Sequence, residues 1–297
     1  MRYTAPTSDK PWLTGLALAS AAALALTACG GDNDDEAGSE VDAEAQVEAD
    51  VTVDADVTTI SAGTLQVCSD VPYPPFEYYS DEGEVVGFDI DVAEAIADAL
   101  DLELEIIESS WDGIESGVAL NAQDCDLAIS GMTITEERSG NMLFSDPYLD
   151  DNLGLLATAE SGIESTADLD GATVGVQTAT TGDDYATEEG IDAVGYEDSG
   201  LMLQGLEAGQ VDALIGNISI LGYQAGDSDE YVFVEEIDTG EQLGIAAQLE
   251  NQELIDAVNQ VLAELESTGA LDEIEQVWFE SGETPEEADD DDDDDED

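Results

Sequence analysis

Strand-like and helix-like segments alternate through the middle of the chain. TLQVCSDV (64–71) and CDLAISGM (125–132) are short apolar runs with branched residues, typical of strands buried on both faces. GFDIDVAEAIADALDL (87–102), WDGIESGVALNAQ (111–123) and NQELIDAVNQVLAELESTG (251–269) repeat apolar residues at the spacing of amphipathic helices. Helices between buried strands predict α/β lobes built on parallel sheets.

The two ends of the chain are predicted to lie outside this folded part. The uncharged apolar run 13–26 follows Arg2 and Lys10, as in a secretion signal, and is too short for a convincing membrane span. It ends in LTAC, which resembles the bacterial lipobox and implies lipid attachment to Cys29. An ordinary signal peptide with a chance cysteine is the alternative. The predicted divisions are a signal peptide at 1–28, an acidic disordered tether at 29–59 and an acidic disordered tail at 283–297.

Charge and residue types exclude most catalytic chemistry. The chain has 75 Asp and Glu, three Lys and Arg, and no His, for a formal net charge of −72. Without His there is no Ser–His–Asp arrangement and no His metal ligand, and no lysine follows Lys10 to form a Schiff base. Nucleic acid and anionic membrane surfaces would be repelled. We therefore expect no catalytic residues, no cofactor, no metal site and no nucleic-acid partner, in a composition similar to that of proteins from salt-loving organisms.

Several motifs of the central region together resemble one family. GFDIDVAEAIADAL (87–100) fits the signature of bacterial extracytoplasmic solute-binding proteins for polar amino acids, known as family 3. Over about residues 63–281, further motifs follow in the family's order: SDVPYPPFE, SSWDGI, SGMTITEER, FSDPY, VGVQTATTG and STGALDEIEQVWF.

The resemblance implies an α/β, two-lobed periplasmic-binding-protein-like (type II) fold with two crossover hinge strands. A ligand would lie between the lobes, at the carboxyl ends of the strands. The implied divisions are lobe 1 at about 60–149 plus 243–282, lobe 2 at about 152–240, and hinges near Leu149–Asn152 and Thr239–Gln242.

Arg138 is the only basic residue beyond the first ten positions. In the resembled family, the arginine at this place grips the α-carboxylate of the ligand. A guanidinium suits this task because it is always charged and presents two parallel donors to a planar anion. The alternative is a structural arginine paired with one of the many neighbouring acids.

The resemblance also nominates an aromatic pair around the ligand's side chain, hydroxyls and amides for its carboxylate or ammonium, and two acids facing its side chain. Each could instead serve core packing, helix capping or a solvated surface. The aromatic pair is Tyr73 and Trp111, and the two acids are Asp70 and Asp89. The hydroxyls and amides belong to Ser130, Gly131, Thr133, Thr178, Thr180 and Thr181.

Asn217 departs from the resembled family. Family members usually place an aspartate here to hold the ligand's α-ammonium, and an amide oxygen accepts without the charge assistance. Either the acidic surroundings compensate, or the ligand is a zwitterionic compatible solute such as ectoine.

The implied function is a monomeric, lipid-anchored receptor that delivers a polar amino acid to the permease and ATPase of an ABC importer. The protein would stand on the outer face of the cytoplasmic membrane, which it would contact only through its anchor. An enzyme of the cyclohexadienyl dehydratase type and a surface or sensory polyanion are the alternatives.

Cys68 and Cys125 are an even pair in an oxidising compartment, which favours a disulfide. However, the resemblance places them on neighbouring parallel strands with a stagger of three residues, or about 10 Å along a strand. Bridged Cα atoms rarely lie more than about 7 Å apart. We therefore predict free thiols, although a bulge or a shorter strand would still allow the bond.

Overall fold

The structure is a computed structural model that describes residues 51–53, 55, 57–226 and 228–279. The predicted signal peptide, Cys29 and the acidic tail lie outside these residues. Within the described part, no helix is both long and apolar enough to cross a membrane.

The first part of the chain supplies seven short strands and four helices. In chain order these are β1 Thr64–Ser69, β2 Tyr78–Tyr79, β3 Val85–Val86, α1 Phe88–Ala99, β4 Glu103–Glu108, α2 Trp111–Glu115, α3 Val118–Ala122, β5 Leu127–Ala128, α4 Glu136–Ser139, β6 Leu143–Phe144 and β7 Leu149–Asp150.

The second part supplies five strands, and the chain then returns to the first part. The elements are β8 Leu153–Thr158, a 3-10 turn Thr166–Asp168, β9 Val174–Gln177, α5 Thr181–Glu189, β10 Ala193–Tyr196, α6 Ser199–Glu207, β11 Ala213–Asn217, α7 Ile218–Ala225 and β12 Tyr231–Ile237, followed by β13 Gln242–Leu243, β14 Ala246–Ala247, α8 Gln252–Thr268 and α9 Ala270–Phe279.

Two five-stranded sheets form the centres of two lobes. Their strand orders are β4-β1-β5-β14-β6 and β10-β9-β11-β8-β12. Between them, β7 and β13 pair antiparallel as two crossover strands, with Gln242 opposite Asp150. This is the two-lobed α/β architecture predicted from the sequence.

Apolar clusters cover both faces of each sheet. In the first lobe, α1, α8 and α9 bury Phe88, Val258 and Ile274 on one face, and α2 and α3 bury Ile114 and Leu120 on the other. The second lobe has separate clusters beneath α5 and beneath α6 and α7. Strands covered on both faces explain the continuous apolar runs of the sequence.

The sheets are mixed, so the prediction of parallel lobes was wrong in part. β1, β4 and β5 run parallel, as do β9, β10 and β11, whereas β14 and β8 run antiparallel to their neighbours. Both antiparallel strands follow a direct crossing between the lobes. Each of them therefore begins at the sheet edge where the parallel strands end, as Leu153 of β8 lies opposite Asn217, the last residue of β11.

The single helix predicted over 111–123 is two helices in the structure. Gly117 separates α2 from α3 with φ 74°, in the left-handed region that favours glycine. A Cβ there would lie 3.2 Å from the carbonyl oxygen of Asn141. Helical periodicity passes smoothly through this glycine and therefore hides the break.

The predicted tether, 29–59, is too long at its C-terminal end. Val51, Val53, Ala55 and Val57 pack against the core beneath α1, and the amide of Val53 donates to the carbonyl of Ala99 at 3.0 Å. Apolar residues at every second position give this segment one apolar face. The acidic average composition of 29–59 conceals that pattern.

Cys68 and Cys125 form a disulfide with Cα atoms 5.7 Å apart, so the prediction of free thiols was wrong. The stagger is as expected, because Cys68 lies opposite Ala128, three residues after Cys125. However, β5 contains only two residues, and Cys125 lies two positions before it, outside the strand. The amide of Asp126 donates to the carbonyl of Gln66 at 2.8 Å and holds this segment close to β1.

Candidate ligand-binding site

A cavity lies between the lobes where several strands end. Asp70 follows β1, Ser130 follows β5, and Gln177 and Asn217 are the last residues of β9 and β11. The carboxyl ends of strands at such a crevice are the usual ligand positions in open α/β sheets. The cavity is lined by Asp70, Tyr73, Trp111, Ser130, Gly131, Thr133, Arg138, Gln177, Thr180, Thr181 and Asn217.

Ten of the twelve residues nominated from the sequence therefore line one cavity. Thr178 does not, because it is exposed and both its amide and its hydroxyl donate to the carbonyl of Tyr196. Asp89 does not line the cavity either. Gln177 is the residue that sequence reasoning missed, although a polar residue at the end of the apolar strand VGVQ was a usable signal.

Arg138 projects from the first turn of α4 and is only 6% exposed. The hydroxyl of Thr135 accepts from the Arg138 amide at 3.1 Å and caps the helix, so the alternative capping roles considered for Ser130 and Thr133 do not apply. The Arg138 guanidinium carbon lies 5.0 Å from the centre of the Trp111 ring, a cation–π distance. Burial lowers the pKa of Arg138, although nearby acids oppose that shift.

Backbone carbonyls hold the guanidinium. Its Nη1 donates to the oxygen of Thr133 at 2.9 Å and its Nη2 to the oxygen of Ala179 at 3.1 Å. The Trp111 indole N–H donates to the same Ala179 oxygen at 3.0 Å, from across the cavity. No ion pair with a carboxylate is found for Arg138 among the described residues. The structural alternative, an arginine neutralised by a neighbouring acid, is therefore not the arrangement seen.

Asp70 and Asp89 occupy different environments. Burial, with Asp198 adding to the effect, raises the pKa of Asp70 to about 6 at the cavity wall. Asp89 is fully buried behind that wall, where it accepts from the Gly131 amide at 2.6 Å and from the Tyr148 hydroxyl at 2.7 Å. Asp89 thus fixes the backbone of Gly131 and does not take the ligand-facing position assigned to it from the sequence.

Glu77 is a second buried carboxyl group behind the cavity. It shares a hydrogen bond with Ser130, and its other oxygen, Oε2, is buried without a partner among the described residues. Burial, followed by the nearby Asp89, raises the pKa of Glu77 well above its usual value. The cause is that burial in a low-dielectric wall disfavours the charged form of a carboxyl group.

Asn217 is fixed by its amide nitrogen. Nδ2 donates to the carbonyl of Asp151 at 2.9 Å, so Oδ1 remains as the side-chain atom that can accept from a ligand. The Asp151 carboxylate is occupied by Ser219, whose amide and hydroxyl donate to it at 3.1 and 2.6 Å. Burial raises the pKa of Asp151 to about 7.

Comparisons with known proteins agree with this architecture. The family model for bacterial extracellular solute-binding proteins, family 3, matches residues 65–281. The L-cystine-binding protein TcyJ of Escherichia coli (strain K12) is 30% identical over 222 residues, which cover 73% of this chain and 83% of that protein. The arginine-binding extracellular protein ArtP of Bacillus subtilis (strain 168) is 32% identical over 276 residues, which cover 91% of this chain and 98% of that protein.

A solved structure shows the same likeness in three dimensions. The crystal structure of the ancestral amino acid-binding protein AncCDT-1, a precursor of cyclohexadienyl dehydratase, matches with a TM-score of 0.67 and 33% identity. The match covers 73% of this chain and 95% of that one.

Proposed function

Because the chain belongs to family 3 of the bacterial extracellular solute-binding proteins, which serve ABC transporters for amino acids, we propose that it captures one polar amino acid between its lobes. Closure of the lobes would present that ligand to a permease and its ATPase. We further propose that Cys29 carries a lipid that anchors a monomeric receptor outside the cytoplasmic membrane.

The arrangement of Arg138 is the observation that carries the proposal. A buried guanidinium held by two neutral carbonyls keeps its full charge, and an uncompensated buried charge is unfavourable. The α-carboxylate of an amino acid would supply the missing anion through a charge-assisted pair. The aromatic ring of Trp111, stacked on the same guanidinium, restricts its orientation.

The cavity favours ligands with a neutral or cationic side chain. Arg138 is the only cationic residue among the described ones, so a second carboxylate on the ligand would lack a partner. Asp70 would also repel a second carboxylate and would attract a guanidinium or ammonium group. The relative from Bacillus subtilis, whose name states that it binds arginine, agrees with a cationic ligand, and we propose L-arginine as the first candidate.

Several contacts that join the lobes support closure around the ligand. Trp111 and Arg138 on the first lobe both donate to the Ala179 carbonyl on the second. Such contacts form only when the lobes are close together. They stabilise a closed state whose population a ligand bound to both lobes would increase.

Binding without catalysis agrees with the relatives, whose names describe them as binding proteins. A dehydratase would need a general acid beside the substrate, and Asp70 at the cavity wall is the carboxyl group to test for that role, because burial raises its pKa to about 6. Incubation with prephenate or arogenate tests this alternative, and we expect no aromatic product.

A ligand screen tests the proposed function. In molar NaCl, L-arginine, lysine, histidine and glutamine should raise the melting temperature, whereas glutamate, aspartate and ectoine should have smaller effects. Calorimetry should then show that Arg138→Ala weakens binding of the best ligand at least a hundredfold, because a charge-assisted bidentate pair is worth about 3 kcal/mol.

Glu137→Ala is the matched control, since Glu137 is exposed on the same helix. It should bind as the wild type does. Unchanged affinity of Arg138→Ala, with the wild type binding, would show that the arginine is only structural. Failure of every amino acid to bind would refute the proposed function. Separately, Cys29→Ala should release the protein from the membrane fraction of expressing cells.

A further inference from the structure

Glu241 connects the two lobes through hydroxyl groups that belong to the cavity wall. Its Oε2 accepts from the Thr133 hydroxyl at 3.1 Å and from the Thr181 hydroxyl at 2.7 Å. Thr133 follows a strand of the first sheet, and Thr181 begins α5 of the second lobe. Glu241 itself lies just before β13 in the crossover, where its carbonyl accepts from the Asp151 amide at 3.1 Å.

The hydrogen bonds of these threonine hydroxyls decide whether they can donate to a ligand or only accept from it. A carboxylate can only accept, so each hydroxyl must donate its single proton to Glu241. Thr133 and Thr181 therefore offer a ligand only oxygen lone pairs and cannot donate from their side chains. Thr180 is committed in the same way, because its hydroxyl donates to the Gln177 carbonyl at 2.8 Å. The hydroxyls of these three lining residues are acceptors and suit an ammonium group better than a carboxylate.

An α-ammonium group needs acceptors and a negative charge. Asp70 lines the cavity, but the proposed function assigns it to the side chain of the ligand, so the charge for the α-ammonium group must come from elsewhere. Asn217 offers an amide oxygen, which accepts without a negative charge. Asp151 directs its carboxylate at Ser219, and Asp89 directs its own at Gly131 and Tyr148. Of these neighbouring acids, only Glu241 is bonded to hydroxyls of residues that line the cavity on both lobes.

We propose that Glu241 provides the counter-charge for the ligand's ammonium group, acting through the hydroxyls of Thr133 and Thr181. A hydroxyl that donates to a carboxylate becomes a stronger acceptor, because hydrogen bonds in a chain polarise one another. Glu241 is thus a positioning residue that compensates for Asn217. It also links recognition of the ammonium group to the closed arrangement of the lobes. This inference rests on the proposed function, namely capture of an amino acid.

The test separates an effect on the ammonium group from a general effect on the hinge. In the full chain, Glu241→Gln keeps the size of the side chain and removes its charge. Its affinity for L-arginine should fall about tenfold, whereas its affinity for 5-guanidinopentanoate, which lacks the α-amino group, should change less than about twofold. Glu236→Gln is the matched control: it removes an exposed charge that bonds Asn152 at 2.7 Å beside the same hinge, and it should leave both affinities unchanged.

A rescue variant makes the result decisive. If Glu241 supplies the charge, Asn217→Asp added to Glu241→Gln should restore most of the affinity for L-arginine, although the change removes the hydrogen bond from Nδ2 to the Asp151 carbonyl and should lower the melting temperature. Equal losses for both ligands, or no rescue while the wild type binds L-arginine, would overturn the role of Glu241 and leave the proposed function intact. If the wild type binds no amino acid, the proposed function and this inference fail together.

Discussion

Removal of the disulfide between Cys68 and Cys125 should destabilise the first lobe strongly. The bond joins residues separated by 57 positions, and closing such a loop lowers the entropy of the unfolded chain by about 14 cal/mol/K. That corresponds to roughly 4 kcal/mol at room temperature, a large share of the 5–15 kcal/mol typical of a folded domain. Both side chains are buried, so replacement by alanine also leaves a small cavity, and this loss of packing adds to the loss of the cross-link.

The assay compares Cys68→Ala/Cys125→Ala with the intact pair, both in a chain that also carries Cys29→Ser, so that only these two cysteines differ. Urea unfolding in molar NaCl, followed by circular dichroism, should show the transition of the first lobe at a lower urea concentration. Mass spectrometry after alkylation should first show that the intact pair takes up label only after reduction. Labelling without reductant, or equal stability of the two chains, would refute the reasoning.

Three further predictions concern charge and the N-terminal segment. Because the pKa of Asp70 is raised to about 6, lowering the pH through that value should protonate its carboxylate and weaken L-arginine binding. In calorimetry, the affinity of Asp70→Asn for L-arginine should change less with pH than that of the wild type. Val53→Asp should lower the melting temperature by exposing the apolar contact beneath α1, whereas the exposed neighbour Thr52→Asp should not. Raising NaCl from millimolar to molar should raise the melting temperature, since the net charge of −72 opposes folding until salt screens it; an unchanged value would contradict this.

The parts of the fold that follow from local pattern could be predicted. Apolar periodicity identified α1 and α8, and the resemblance to family 3 nominated Ser130 and Asn217, which the structure places at one cavity. The direction of β8 and β14 could not be read in this way, because the same apolar run suits a parallel or an antiparallel neighbour.

The site residues that sequence reasoning misplaced depend on contacts between distant segments. The carboxylate of Asp89 turns away from the cavity because the Gly131 amide and the Tyr148 hydroxyl, 42 and 59 positions later, hold it. Glu241 gave no signal at all. It is one acid among 75, and the two threonine hydroxyls that donate to its Oε2 belong to residues 108 and 60 positions away.

The abundance of acids makes the surroundings of Arg138 informative. About one residue in four of this chain is Asp or Glu, so a buried cation paired with one of them would be unremarkable in it. Such a carboxylate would compete with the ligand for the same two donors and would have to be displaced on binding. Carbonyl groups orient the guanidinium without neutralising it. When the cavity holds no anion, the buried charge is therefore left without a counter-ion, which is unfavourable. This arrangement suits the proposed role of Arg138 in binding the carboxylate of a ligand, because no carboxylate of the described residues forms an ion pair with it.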